Sequence, residues 1–263
     1  MKREHKNETI TPGGDELIFY CDCNNNVIDK VSNLDLWQLI AGSASSWTPL
    51  YVVDPSDNSR YCIMKRSGNY RVPCVIGDYR GDTKYNYIIA KSQAYSDEST
   101  KRFLASPTYG NHKVSFYWYC GMTTAGGCIF DYSGLGNNND NQNNSGIALI
   151  GIGSNVLFRA KNNSSTALDT LVGSRSVLKN KWYYVEMNFY YVSSTQYSVS
   201  FFLKDESTNT ILASGSHTLT QPLVNTKVER GLFLFLSDNA GSGNWAPITV
   251  DYIKEVKVWK TIS

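Results

Sequence analysis

Residues 179–205 read KNKWYYVEMNFYYVSSTQYSVSFFLKD, and their alternation admits one kind of backbone. Tyr183, Val185, Met187, Phe189 and Tyr191 alternate with Trp182, Tyr184, Glu186, Asn188 and Tyr190. Successive side chains of a strand point to opposite faces, so the first set makes an apolar face and the second an amphipathic one. After a polar break at 192–196 the pattern resumes. Tyr197, Val199, Phe201 and Leu203 take one side, and Ser198, Ser200 and Lys204 the other, with Phe202 out of phase. This predicts a long antiparallel hairpin with one face on a core, extended into a meander by 211–219.

The remainder of the chain carries the same signal in shorter pieces. Residues 17–23, LIFYCDC, form the first convincing strand and are followed by an Asn-rich turn at 24–26. Short strands are predicted at 50–53, 61–65, 71–76 and 85–90, and an aromatic one, VSFYWYC, at 114–120 with 126–131 as its hairpin partner. Residues 147–152 and 155–159 read as a hairpin turning at Gly153-Ser154, and 231–236, GLFLFL, as a buried inner strand. The closing segment 248–260 has Ile248, Val250, Tyr252, Val256 and Val258 in phase, with Lys254 breaking the pattern. The best short-helix candidate is 34–41, LDLWQLIA, capped by Ser32 or Asn33. Repeated short strands separated by turns indicate a sandwich or barrel. No linker divides the chain, which leads us to expect a polar arm at 1–14 and one β domain over 15–263.

Composition narrows the function classes. Charged residues make up 18% of the chain and the net charge is +2, with no basic run beyond residues 1–6. Nucleic-acid binding leaves a clustered basic footprint, which is missing here. No apolar run is long enough to span a membrane, and no apolar segment follows the charged start as a secretory signal requires. The polar surface falls to Asn, Ser, Thr and Gly, which suits either uncharged partners such as sugars or plain solvation. The six cysteines, Cys21, Cys23, Cys62, Cys74, Cys120 and Cys128, lack paired zinc spacing and are expected as reduced structural thiols.

From residue 114 onward the order of elements resembles the concanavalin A-like lectin/glucanase jelly rolls, in particular the laminin-G-like branch. The resemblance rests on the aromatic strand 115–119, the small-residue hairpin 146–158, Trp182-Tyr183-Tyr184-Val185-Glu186 and the closing DYIKEVKVW of 251–259. It implies an all-β, two-sheet antiparallel jelly-roll sandwich with at most one or two short helices, in which strand 17–23 pairs with the last strand. Lectin-like jelly rolls recur in phage fibres and decoration proteins. The resemblance therefore implies a non-enzymatic virion protein of a tailed bacteriophage, with host surface glycans as its candidate ligand. A secreted carbohydrate-binding module is the alternative and a glycoside hydrolase the third reading. In the leading reading the arm 1–14 clasps other virion chains and the protein is a homo-oligomer.

Catalytic residues are hard to find in the sequence. Glucanases of this fold alternate acid and nucleophile carboxylates on one strand, whereas Glu186 stands alone and Asp205-Glu206 falls at a strand end. His112 and His217 read as structural. A glycan site needs an aromatic platform beside planar polar groups, located in loops at one end of the sandwich or on the concave sheet. Asp238, Asn239, Asn244 and Trp245 offer both, with Tyr132 nearby if the loops converge; Trp245 packed inward is the competing reading. Calcium takes about six to eight oxygens, and only Asp238 and Asn239 are candidates, so no cofactor is expected. The Arg80-Gly81-Asp82 tripeptide reads as turn chemistry.

Overall fold

The computed structural model describes residues 14–26, 28–30, 34–35, 50–64, 77–79, 101–103, 111–121, 127–135, 146–162, 165–193, 196–219, 229–234 and 251–261. The arm 1–13, the predicted strands 71–76 and 85–90, the RGD tripeptide and the loop 235–250 lie outside the described residues.

Two antiparallel sheets form a sandwich. The larger has eight strands: β1 (Asp15–Cys21), β4 (Leu50–Asp54), β5 (Asp57–Met64), β8 (His112–Tyr119), β13 (Trp182–Ser193), β14 (Gln196–Asp205), β15 (Ile211–Leu219) and β17 (Tyr252–Thr261). Its order is β15-β14-β13-β8-β17-β5-β4, with β1 also on β17. The smaller sheet runs β12 (Ser165–Ser174), β11 (Asn155–Asn162), β10 (Gly146–Ile152), β9 (Gly127–Leu135) and β16 (Glu229–Leu234). Two-stranded pairs join β2 (Ile28–Asp29) to β3 (Leu34–Asp35), and β6 (Gly77–Tyr79) to β7 (Lys101–Phe103). A single helical turn, α1 (Arg175–Leu178), follows β12.

The alternation of 179–205 explains the core. Tyr183, Val185, Met187 and Phe189 of β13 are buried beside Val114, Phe116 and Trp118 of β8 and Val199, Phe201 and Leu203 of β14. Ile147 and Leu149 of β10, with Val156, Phe158 and Ala160 of β11, supply the opposite layer. Phe158 and Phe201 close the gap between sheets at 4.3 Å between ring centroids. The hairpin β10–β11 turns at Gly153, whose φ of +56° is in the left-handed region that favours glycine.

β17 pairs with β1 from Cys21↔Val256 to Asp15↔Thr261, as predicted for the first and last strands. Its other edge pairs with β8, and its first residues also pair with β5. A bulge at Glu255, with φ +55° and a register shift between Lys254 and Lys257, resets the alternation. Ile253, Val256 and Val258 therefore face the core, while Tyr252 and Lys254 lie on the other face. This corrects the phase read from sequence, which grouped Tyr252 with the core residues.

Three further expectations change. Strand 127–135 pairs with β10 and β16 in the smaller sheet rather than with β8, whose partners are β13 and β17. Among the described residues β16 is the end strand of the smaller sheet, where the sequence led us to expect an inner one. Leu34 and Asp35, read as the start of a helix, pair instead with Asp29 and Ile28, and extended pairing uses the backbone that a first helical turn would need. Cys21, Cys23, Cys62 and Cys120 are buried reduced thiols, with the Cys21 and Cys23 sulfurs 3.7 Å apart. No helix among the described residues is long and apolar enough to cross a membrane.

Candidate functional site

The face of the large sheet turned away from the core is built from the second half of each alternation. Four cross-strand rows follow from the register, because residues directly opposite one another share a face. The first is Tyr252–Tyr119–Trp182, and the second Lys254–Tyr117–Tyr184–Lys204. The third is Lys257–Ser115–Glu186–Phe202–Ser214, and the fourth Trp259–Lys113–Asn188–Ser200–Ser216.

The aromatic groups form a continuous surface. Tyr119 stacks on Tyr252 at 5.1 Å and meets Trp182 edge-on at 5.3 Å. In the next row Tyr117 lies 5.2 Å from Tyr184, which lies 5.9 Å from Phe202. Tyr117, Tyr119, Tyr184, Phe202 and Tyr252 are all half-buried, so one side of each contributes to the accessible face. Phe202 broke the alternation in the sequence because it belongs to this outer surface.

Glu186 sits at the centre of the face with both oxygens engaged. The Tyr184 hydroxyl donates to Oε2 at 2.8 Å, and the Asn188 amide donates to Oε1 at 3.2 Å. Burial, reinforced by the Glu186 carboxylate, pushes the Tyr184 phenol far above its ordinary value despite an opposing hydrogen bond from Ser115. Tyr184 is therefore a protonated donor across the physiological range. Glu186 was expected on the solvent side of β13, which is where it lies.

A second polar cluster closes one end. Asp54 is fully buried and accepts from Lys254 Nζ at 3.0 Å, Trp182 Nε1 at 3.2 Å, and Ser56 N and Oγ at 2.8 and 2.7 Å. Burial opposes its ionisation, but the Ser56 and Lys254 hydrogen bonds outweigh it and hold the carboxyl below the usual range. Lys254 Nζ also lies 4.1 Å from the Trp182 ring centroid, a cation–π contact that fixes the indole as a wall. Arg60 reaches Glu255 at 2.8 Å and the Asp22 carbonyl at 3.0 Å, bracing the bulge. Glu206 is exposed at this rim, yet its carboxyl is raised by desolvation and by Asp54 and Glu255 nearby, with Lys254 acting in the opposite direction.

The structure does not assemble the loop site expected from sequence. Asp238, Asn239, Asn244 and Trp245 lie outside the described residues, and with them the calcium candidates. Tyr132 occupies a mid-strand position in β9, paired with Ile147 and Leu232, rather than a loop. No group of three or more His, Cys, Asp or Glu side chains among the described residues is placed to hold a metal ion. His112 is buried and stacked on Phe189 at 4.8 Å, in keeping with a structural role.

Sequence reasoning missed Tyr117, Tyr119, Trp182, Tyr184, Phe202, Tyr252 and Lys254 as members of one surface. The available signal was the pair of residues out of phase, Phe202 and Lys254, together with the aromatic content of the non-core halves of 114–120 and 182–190.

No protein-family model and no curated protein matches the chain. Among solved structures it is similar to a carbohydrate esterase from Shiga toxin-encoding bacteriophage phi24B, with 11% identity, TM-score 0.48, and 95% of this chain and 100% of that one covered. An alginate lyase from Aplysia kurodai gives 12% identity and TM-score 0.45 over 81% and 87% of the two chains. The Bacillus licheniformis β-glucanase gives 11% and 0.33 over 96% and 100%. Enzymes thus stand among the structures similar to this chain, and the expectation of a protein without enzymatic activity is withdrawn.

Proposed function

We propose that this protein engages a carbohydrate chain across the outer face of its eight-stranded sheet. The observation that carries the reading is the four-row register, which sets the half-buried rings of Tyr117, Tyr119, Tyr184, Phe202 and Tyr252 beside Glu186 and Asn188. Sugar rings present apolar C–H faces and hydroxyl edges, and this surface pairs flat aromatic area with fixed acceptors and donors at strand spacing. The platform is built on strands, which hold a site more rigidly than loops do. Tyr184 and Glu186 are the contacting phenol and carboxylate at its centre.

The test is a carbohydrate microarray probed with the wild type, Tyr184→Ala and Glu186→Gln, with the hits then incubated for release of reducing ends, unsaturated products or acyl groups. Binding that Tyr184→Ala abolishes while the melting temperature stays within a few degrees supports the reading. Binding unaffected by either substitution moves the site elsewhere and overturns it.

A further inference from the structure

We infer that the carbohydrate taken by this face is an acidic one, a polymer carrying carboxylate or sulfate groups along its length. The inference rests on the proposal that the face engages carbohydrate and adds the charge of the ligand.

Most carboxylates on and around the face already have partners, an exception being Glu206, which is exposed at the rim near Tyr117 and Lys254. Glu186 accepts from Tyr184 and Asn188, Asp54 pairs with Lys254, Glu255 with Arg60, and Asp15 with Lys113 at 3.0 Å. Two ammonium groups differ. Lys204 Nζ lies 5.1 Å from the Tyr184 ring centroid, and Lys257 Nζ lies 5.0 Å from that of Tyr20 and 6.0 Å from that of Trp259. Neither has a carboxylate within ion-pair distance among the described residues, and both are half-buried. Their attraction to the rings holds them at the surface a ligand would cover.

Covering them with a neutral chain would strip water from two cations without returning a counter-charge, whereas an anionic group over each offsets that desolvation. Their placement indicates a polymer rather than a small anion. Lys204 is on β14 and Lys257 on β17, with β13 and β8 between them and an offset of one row. At the usual strand spacing their backbones are roughly 15 Å apart. A chain bridging them crosses Tyr117, Tyr184 and Glu186. Glu186 disfavours an anionic group at the middle of that path, so the two charges sit over the lysines and the uncharged part of the chain over the carboxylate.

The experiment measures binding of polygalacturonate and chondroitin sulfate, of neutral laminarin and xylan, and of polyglutamate as a polyanion that is not a sugar. The proteins are the wild type, Lys204→Gln, Lys257→Gln, the double variant and Tyr184→Ala. The expected result is preference for an acidic polysaccharide that weakens as salt is raised. Each lysine substitution should reduce affinity about tenfold and the double variant about a hundredfold, with melting temperatures unchanged. Neutral chains bound as well as acidic ones, indifferent to the lysine substitutions but lost in Tyr184→Ala, would overturn the acidic class and leave the carbohydrate reading standing. No binding to any polysaccharide would overturn both. Polyglutamate bound as tightly as polygalacturonate would make the face a general anion surface and also overturn the inference.

Discussion

Arg175 and Asp251 meet inside the protein, Nη1 lying 3.0 Å from Oδ2 and 3.2 Å from Oδ1. Their side chains are 2% and 4% exposed. The pair ties α1 to the entry of β17, and the Gly121 amide donates to the same carboxylate at 3.0 Å. Removing one member of a buried pair leaves the other charge uncompensated. Arg175→Met should therefore destabilise by about 3–5 kcal/mol in urea denaturation, and adding Asp251→Asn should restore part of the loss. A single variant as stable as wild type would show that the pair contributes nothing net.

Phe189 is fully buried on β13 and stacked on His112. Phe189→Ala should cost about 3–5 kcal/mol, because a ring is lost from a layer held between two sheets. Thermal unfolding reads this directly, and an unmoved midpoint would contradict the packing described.

Gly215 lies opposite Phe201 in the β14–β15 register, and a Cβ there would come within 2.7 Å of the Phe201 ring. Phe201 has little room to yield because it packs on Phe158 and is 2% exposed. Gly215→Ala should destabilise by about 1–3 kcal/mol, whereas Ser214→Ala next to it, exposed on the opposite face, should be close to neutral.

Asp205 organises the β14–β15 turn. It accepts from Ser207 Oγ at 2.6 Å, Ser207 N at 2.9 Å and Thr208 N at 3.2 Å, with Lys181 at 3.3 Å. The Ser207 hydroxyl chiefly, with Thr208 and Lys181, lowers its pKa to about 2 against the opposing effect of burial. The folded value is depressed, so this contribution is complete above the unfolded pKa near 3.8 and is lost as pH falls toward 2. Asp205→Asn should flatten that part of the stability–pH curve. An unchanged acid limb would show that other carboxylates govern it.

The core was legible because strict alternation leaves one register in which Tyr183, Val185, Met187 and Phe189 are all buried. The outer face was harder to read for a matching reason: an amphipathic half looks like a solvated one until its neighbours are known. Tyr184 gains meaning only when Tyr117 and Phe202 are placed on either side of it, and that adjacency links residues far apart in sequence. The closing strand shows a second limit. Alternation predicts faces only along an unbroken strand, and the residue at Glu255 that shifts the phase has no signature of its own; a glycine or asparagine there would have announced the left-handed backbone.

β17 also sets the order in which the large sheet is completed. It follows every other strand in the sequence, yet it occupies the middle of the sheet, with β8 on one side and β1 and β5 on the other. During synthesis those three strands leave the ribosome without the partner that joins them, and their hydrogen-bonding edges stay open until residues 252–261 arrive. Loop closure over such separations is slow, and open edges are where chains associate with the wrong neighbours. The waiting time before the central strand is delivered is thus a kinetic property of this topology, distinct from its final stability.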